Sequence, residues 1–179
     1  NQNMLSLSNF IYKIFNQIVF EYANMMDKVD FAILRQLQDD GRLTNVDLSE
    51  RIHLSPSPCL RRVKKLEAET VITGYRATID REKVGLGMTV FVDVSLENHK
   101  DQTSLQFEES IIAMPNVLSC FVVSGQSDYR LEVVVHNLKE YEAILRTIQT
   151  LPFVKDIHSN FAIRAVKTDA PLPIQEAQS

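Results

Sequence analysis

The hydrophobic and polar positions between residues 43 and 67 predict two helices joined by a short turn. Leu48 and Ile52 lie four positions apart, which places them on one face of a helix. Cys59, Val63 and Leu66 repeat this pattern at i, i+4 and i+7, again on one face. Because two such faces bury each other when they pack, the pattern favours a helical hairpin with one buried side.

Capping residues mark the beginnings of both helices. Thr44 followed by Asp47 is a capping pair, and either Ser55 or Ser57 stands before a proline that suits the first helical position. The basic residues at positions 61, 62, 64 and 65 face mostly away from the apolar side. A short helix, a sharp turn and a basic second helix are typical of a helix-turn-helix, whose second helix enters the DNA major groove. A helical hairpin with a merely solvated basic face is the alternative.

The flanking residues extend this hairpin to a winged helix-turn-helix DNA-binding domain over residues 25–80. A helix over 27–38 carries its own apolar stripe, and Gly41 follows its end. Residues 72–80 alternate apolar and polar positions, which predicts a short strand or a two-stranded wing. The polar segment 81–87 contains two glycines and is interpreted as a hinge.

Period-two alternation in residues 88–167 predicts a second domain, so the chain is of the α+β class. Strands are expected at 88–96, 117–124, 129–136 and 154–164, and helices at 102–114 and 137–151. This β-α-β order, repeated, predicts a ferredoxin-like βαββαβ fold with both helices on one face of an antiparallel sheet. The uncovered face is expected to be apolar, and a homodimer would bury it. The residues assigned to that face are Phe91, Phe121, Val123 and Val134.

The two ends of the chain have different compositions. Residues 1–24 carry an apolar stripe broken by polar residues, without the features of a secretory signal or a membrane span. We interpret them as an N-terminal extension, with an added helix that packs on the protein or on a partner as the alternative. Residues 168–179 are predicted to be a disordered tail.

Composition and charge exclude several classes of protein. The chain has 179 residues, of which 45% are hydrophobic and 23% charged, as in ordinary globular domains. The net charge is −4, but residues 27–85 hold 11 Lys and Arg against 10 Asp and Glu, while residues 86–179 hold 7 against 12. Cys59 and Cys120 stand in no metal-binding spacing. We therefore expect a cytoplasmic protein whose thiols are reduced. We expect it to bind no metal and no cofactor, and to have no membrane partner.

Four motifs, in this order, resemble the Lrp/AsnC family of feast/famine transcriptional regulators. DFAILRQLQDDGR, LSPSPCLRRVKKLE and ITGY are similar to its winged helix-turn-helix, and VSGQSDYRLEV to its effector domain, known as the RAM domain. The resemblance covers residues 26–167. It implies a regulator that binds double-stranded DNA and whose RAM domains dimerise and often assemble into octamers. It also implies an effector such as leucine, methionine or a similar small amino acid, bound between RAM domains near the glycine-containing turn.

Two positions depart from the family pattern. His53 stands where the turn of the helix-turn-helix usually carries glycine, and Thr70 where the family often has a glycine after the recognition helix. Histidine tolerates a positive φ at a cost of about 1–2 kcal/mol, so we expect the turn to be kept. Thr70 affects the backbone geometry with which the chain leaves the recognition helix and enters the wing.

The recognition helix, residues 55–68, is expected to carry the contacts with DNA. Backbone N–H groups at its beginning can bind a phosphate, and an arginine can pair bidentately with guanine. The candidate DNA-binding residues are Ser55, Ser57, Pro58, Arg61, Arg62 and Lys65.

An amino-acid effector presents an ammonium, which needs an acceptor, and a carboxylate, which needs donors. The carboxylate of Asp128 can be the acceptor, and the N–H groups of the glycine-containing turn can be the donors. The candidate effector-binding residues are Val122, Gly125, Gln126, Ser127, Asp128, Tyr129 and Leu138. The alternative is an ordinary hairpin turn in which Asp128 serves only its own backbone.

Two other classes of function stay open. The sequence contains no nucleophile–base pair, phosphate loop or clustered metal ligands, which disfavours an enzyme. However, tetrapyrrole (sirohaem) decarboxylases of the haem pathway resemble Lrp-type regulators and use histidines, and His136 and His158 fall on predicted strands. A ligand-binding assembly module that does not bind DNA is the other class, and the basic recognition helix argues against it.

Overall fold

The N-terminal helices form where helix caps and apolar stripes coincide. The structure, a computed structural model, describes residues 26–98 and 100–174. Its first helices are α1 (Lys28–Asp39), α2 (Asn45–Arg51) and α3 (Pro56–Ala68). Asp27 caps α1 in a capping box with Asp30, and Thr44 caps α2 by accepting from the N–H of Asp47. The side chains buried at the centre are Ile33, Leu48, Cys59 and Leu66. The faces predicted from the spacing of apolar residues are therefore confirmed.

The turn between α2 and α3 keeps its geometry without glycine. His53 has a φ of 54°, the left-handed conformation that was expected of it. The N–H of Leu54, the next residue, donates to the carbonyl of Ser49 at 2.9 Å and closes the turn.

The predicted strand at 72–80 is not formed. The structure has no helix or strand between residues 71 and 80. An extended segment becomes a strand only when a neighbour completes its hydrogen-bond ladder. Here the segment is instead fixed to α3, since the hydroxyl of Tyr75 donates to the carboxylate of Glu67 at 3.0 Å.

Thr70 lies just after α3 with a φ of 56°. This conformation is strained for a β-branched residue, at a cost of about 1–2 kcal/mol. We expect Thr70→Gly to raise the free energy of unfolding by about 0.5–1 kcal/mol, because glycine removes the strain but makes the unfolded chain more flexible. Denaturant titration measures this change. Thr70→Ala keeps a Cβ atom and is the control, and an equal gain from alanine would contradict strain as the cause.

The second half of the chain folds as an antiparallel sheet with two helices. Its elements are β1 (Met88–Leu96), α4 (Asp101–Ile112), β2 (Val117–Val122), β3 (Tyr129–Val135), α5 (Leu138–Gln149) and β4 (Val154–Phe161). The strand order is β2-β3-β1-β4, and every neighbouring pair is antiparallel. This is the predicted ferredoxin-like arrangement, and the predicted strands agree with the observed ones to within a few residues.

Alternate residues of β1 and β3 build the core beneath the helices. Every second residue from Val90 to Leu96 and from Tyr129 to Val135 is buried, as predicted. On α4, however, the core positions are Phe107 and Ile111, whereas Leu105 and Ile112 are exposed. Residues 103, 107 and 111, each one turn apart, form the stripe that faces the sheet, so these two apolar residues point away from it.

The other face of the sheet is less apolar than predicted. Phe91 and Phe121 are exposed on it, at 39% and 61%. Val134 lies on the same face, since it pairs with Thr89 two residues before Phe91, but it is only 2% exposed and so is not part of an open apolar surface. The guanidinium of Arg81 donates to the carboxylate of Glu132 at 2.8 Å. This contact brings the turns at 81–85, which precede β1, over this end of the face. The open part of the face thus combines two aromatic side chains with charged ones.

Contacts divide the chain into two units. Of the described residues, one unit contains 26–77 and 169–174, and the other contains 78–98 and 100–168. The predicted hinge at 81–87 consequently lies within the second unit, where it forms a series of turns. The predicted extension at 1–24 lies outside the described residues, as do residues 175–179 of the predicted tail. Residues 168–174 form no helix or strand.

Candidate functional site

The outward face of α3 is the basic surface that the sequence predicted. Arg61 and Lys64 are exposed, and Lys65 is half-exposed, with its ammonium 3.9 Å from the carboxylate of Glu69. Ser57 lies on the same outward side, one turn before Arg61. Lys64 was not among the predicted contacts, although its position on the helix places it beside Arg61.

The beginning of α3 offers fewer backbone donors than predicted. Pro56 and Pro58 have no N–H group, and the N–H of Cys59 donates to the carbonyl of Ser55 at 3.2 Å. Among the first helical residues this leaves the N–H of Ser57 to bind a phosphate. The hydroxyl of Ser55 makes no capping hydrogen bond. One N–H group and two nearby hydroxyls therefore form this part of the surface, and Pro58 contributes no donor.

Arg62 is held on the opposite flank of α3. Its Nη1 lies 2.8 Å from Asp30 Oδ1 and 2.8 Å from Asp27 Oδ2. The carboxylate of Asp30 is almost fully buried. Burial raises the pKa of Asp27, but hydrogen bonds from the backbone of Asp30 and from Arg62 more than offset it, so that the pKa lies below its ordinary value. Arg62 thus joins the recognition helix to the beginning of α1.

Asn45 fixes the beginning of α3 against α2. Its side-chain Nδ2 donates to the carbonyl of Pro56 at 2.9 Å, whereas its Oδ1 is buried without a hydrogen-bond partner. Sequence reasoning missed this contact, since nothing local distinguishes Asn45 from an ordinary first-turn residue.

The predicted effector residues fall into two groups. Val122, Gln126 and Ser127 line an open depression of about 810 Å³ on the second unit, beside the turn between β2 and β3. Gly125 lies in that turn with a φ of 130°, a conformation that other residues rarely adopt. These residues therefore lie together at one end of the sheet.

Asp128 serves a neighbouring strand. Its Oδ2 accepts the N–H of Leu96 at 2.7 Å, and its own N–H donates to the carbonyl of Val94 at 3.0 Å. These bonds meet at the irregular end of β1, where the register with β4 shifts. The sequence left two alternatives for this carboxylate, an acceptor for the ammonium of the effector or an acceptor for its own backbone. Neither describes its role fully, because it accepts a hydrogen bond from the backbone of another strand.

Tyr129 and Leu138 are not beside the depression. Tyr129 is buried in the core, where its ring lies 4.6 Å from that of Phe107 and its hydroxyl donates to Glu108 at 2.8 Å. Leu138 begins α5, beyond the far end of β3, and seven strand residues span about 20 Å. Sequence proximity placed Tyr129 in the site, but the alternation of the strand turns it inward.

Sequence reasoning missed the polar residues on the sheet that complete the depression. Arg130 binds Asp93 bidentately, with Nε–Oδ1 and Nη2–Oδ2 distances of 2.7 and 3.0 Å. The Nδ2 of Asn160 donates to the same carboxylate at 3.3 Å, and His158 also lines the depression. The hydrogen bond from Arg130 holds the pKa of Asp93 below its ordinary value. The period-two pattern predicted that these residues share a face, but not that they pair.

The two histidines considered for a tetrapyrrole lie apart. His158 pairs with Asp93, while His136 follows Val135, which pairs with Met88. Five residues along β1 separate these positions by about 17 Å. The Nδ1 of His136 donates to the carbonyl of Gly85 at 2.9 Å. The two imidazoles therefore do not face one site within the protomer.

Within residues 26–98 and 100–174, no helix is long and apolar enough to cross a membrane. In the same residues, no three His, Cys, Asp or Glu side chains are grouped closely enough to hold a metal ion.

Two family models match the chain, one for each half. A winged helix-turn-helix DNA-binding model matches residues 26–73, and the model of the Lrp/AsnC ligand binding domain matches residues 89–172.

The curated proteins and solved structures that this chain is similar to are regulators as well. The Bkd operon transcriptional regulator of Pseudomonas aeruginosa is 44% identical over 150 residues, which cover 83% of this chain and 98% of that protein. A transcriptional regulator from Neisseria meningitidis, solved in complex with L-Met, is 41% identical, with a TM-score of 0.78 and coverage of 83% and 96%. A feast or famine regulatory protein of Mycobacterium tuberculosis, solved with L-methionine, is 31% identical, with a TM-score of 0.71 and coverage of 80% and 95%.

Proposed function

Since this chain belongs to the Lrp/AsnC family of transcriptional regulators, with a DNA-binding helix-turn-helix and a ligand-binding domain, we propose that it is a dimeric regulator controlled by methionine or a similar amino acid. The observation that carries this proposal is that one chain contains both a basic α3 and a polar depression beside the Gly125 turn. Two similar regulators were solved with methionine, which favours this effector over other amino acids.

The proposed DNA contacts lie on the outward face of α3. Arg61, Lys64 and Lys65 share that face with Ser57, so all four can reach one groove. Ser55 and the N–H of Ser57 are assigned to a phosphate. Arg62 is assigned to holding α3 in place, because its guanidinium already pairs with Asp27 and Asp30.

Two substitutions on α3 should affect DNA binding differently. We expect Arg61→Ala to reduce discrimination between an operator and altered operators by about 1–3 kcal/mol, because a bidentate contact with a base is lost. Lys65→Ala should weaken binding to every sequence and lower the salt slope by about 1, because a phosphate contact is lost. Fluorescence anisotropy at several salt concentrations measures both effects. Lys155→Ala, which removes an exposed lysine from β4, is the control. Wild-type binding by both α3 variants would contradict the assignment.

The proposed effector site is the depression beside the turn. The turn from Ser124 to Ser127 supplies polar atoms, and Val122 supplies an apolar side chain. Asp128 follows the turn and does not line the depression; it is assigned to the ammonium of the ligand in addition to its hydrogen bond with Leu96. Tyr129 and Leu138 are left out of the proposed site, because one is in the core and the other follows the far end of β3.

Asp128→Asn separates the charge of this residue from its structural hydrogen bond. The amide oxygen of asparagine can still accept the N–H of Leu96, but the negative charge that would bind an ammonium is gone. We expect a loss of methionine affinity of at least about tenfold at nearly unchanged stability, because hydrogen bonds to charged groups contribute about 1.5–3 kcal/mol. Isothermal titration calorimetry and thermal unfolding measure the two quantities. Unchanged affinity would remove Asp128 from the site.

A thermal-shift screen with the twenty amino acids tests the effector itself. A ligand that binds only the folded protein raises the unfolding temperature in a concentration-dependent way. We expect methionine, leucine or a similar residue to give the largest shift. The absence of a shift with every amino acid would contradict an amino-acid effector.

The proposed dimer forms through the open face of the sheet. Phe91 and Phe121 are exposed there, and the paired Asp93 and Arg130 on the same face also line the depression, so the proposed effector site would lie between the two copies. Interfaces commonly combine aromatic side chains with arginine, and a satisfied ion pair can be buried without leaving a charge unpaired. Further assembly of dimers into an octamer is part of the same proposal and rests on the family alone.

A further inference from the structure

The C-terminal segment of the chain is packed on the DNA-binding unit. Residues from Asp169 onward belong to the same unit as α1–α3, although the preceding β4 belongs to the other unit. The side-chain carboxamide of Gln38, at the end of α1, makes two hydrogen bonds with one residue of this segment. Its Oε1 accepts the N–H of Leu172 at 2.7 Å, and its Nε2 donates to the carbonyl of Leu172 at 3.3 Å.

The sequence around Leu172 suits this two-point contact. The residue before a proline is restricted to extended conformations, and Pro173 follows Leu172. An extended residue directs its own N–H and C=O to the same side, where a single carboxamide can bind both. The N–H of Ile174 also donates to the carbonyl of Leu172 at 2.8 Å, and this tight turn has the proline at its centre. Pro173 thus restricts Leu172 to the extended backbone conformation that this contact requires.

The prolines on both sides of Leu172 determine which residue can dock. Pro171 and Pro173 have no N–H group, so a shift of one position in either direction would leave Oε1 of Gln38 without a donor. The side chain of Leu172 remains largely exposed. Recognition therefore depends on the backbone and on proline spacing, and not on a buried apolar side chain.

We propose that residues 169–174 form a C-terminal strap that docks on α1 of the same protomer through Gln38. The two units are then joined twice, at Ala77–Thr78 and at Thr168–Asp169, and the strap is the second connection. The proposal does not depend on the identity of the effector or of the operator.

Amide hydrogen exchange in the full-length chain, followed by NMR, tests the docking. The N–H of Leu172 should exchange about tenfold more slowly than in a free peptide of residues 169–174, because it donates to Oε1 of Gln38 in the chain. In Gln38→Met, a side chain of similar length without hydrogen-bonding groups, its exchange should approach the rate in the peptide. Gln36→Met makes the same chemical change on the same helix and should leave Leu172 protected. Exchange of Leu172 at the peptide rate in the wild type, or full protection in Gln38→Met, would overturn the proposal.

A mixing experiment distinguishes docking within a protomer from docking between protomers. Isotope-labelled Gln38→Met is assembled with an excess of unlabelled wild type, so that only the Leu172 of the variant is observed. If the strap binds its own α1, the labelled Leu172 stays unprotected. Recovery of protection would show that the strap binds the intact Gln38 of a second copy, and the intramolecular strap would be rejected.

Discussion

Phe121→Asp is expected to convert the proposed dimer to a monomer and to lower the affinity for a two-half-site operator by about 10²–10⁴-fold. The loss is large because two linked DNA-binding units bind with a high effective concentration, and separate units do not. Phe121 lies on the open face of the sheet and is 61% exposed in the protomer. Its replacement by a charge should therefore disturb the interface far more than the fold.

Light scattering and an operator titration with the same samples measure this effect. Ile112→Asp is the control, because Ile112 is an equally apolar, exposed residue on the helix side of the sheet. The control should remain at least dimeric and bind the operator as the wild type does. A dimer that survives Phe121→Asp would show that the protein associates through another surface.

Arg62→Met is expected to lower the free energy of unfolding of the DNA-binding unit by about 2–3 kcal/mol. Removal of one partner from a buried ion pair costs about 3–5 kcal/mol, because the other charge stays buried. Asp30 is 3% exposed, but Arg62 is 31% exposed, so solvent screening reduces the expected cost. Arg61→Met removes a neighbouring arginine without a buried partner and should change stability by less than about 0.5 kcal/mol.

A double-mutant cycle and a pH series identify the cause of this loss. Asp30→Asn combined with Arg62→Met should recover part of the stability, because no unpaired charge then remains buried. The depressed pKa of Asp27 means that its contribution is present at neutral pH and disappears as the pH falls through the folded-state pKa. The difference between wild type and Arg62→Met should accordingly narrow in acid. A constant difference down to the acid limit would indicate that lost packing, and not charge pairing, is responsible.

Apart from the strand expected at 72–80, which does not form, the sequence alone determined which helices and strands occur and in what order. The helix cap at Thr44, the i, i+4 spacing on α3 and the alternation on β1 are local signals, and each appears in the structure as predicted. The left-handed turn at His53 was also predicted, because backbone sterics depend on the residue itself. The family relationship rests on the same local motifs, in their order along the chain.

The tertiary structure decided what individual polar side chains do. Arg62 follows Arg61 in the sequence, yet one is held by Asp30, 32 positions away, and the other faces outward. Proximity in sequence suggested that Tyr129 and Leu138 flank the turn, but the pleat turns the first into the core and the length of β3 carries the second away.

The same distinction applies to the ends of the chain. Composition predicted a disordered tail over residues 168–179, and it could not indicate that the backbone of Leu172 is hydrogen-bonded to Gln38, 134 positions earlier. Periodicity and capping describe interactions between residues a few positions apart, which the sequence encodes directly. Ion pairs and docked segments depend on which distant groups the fold brings within about 3 Å of each other, and only three-dimensional packing sets that distance.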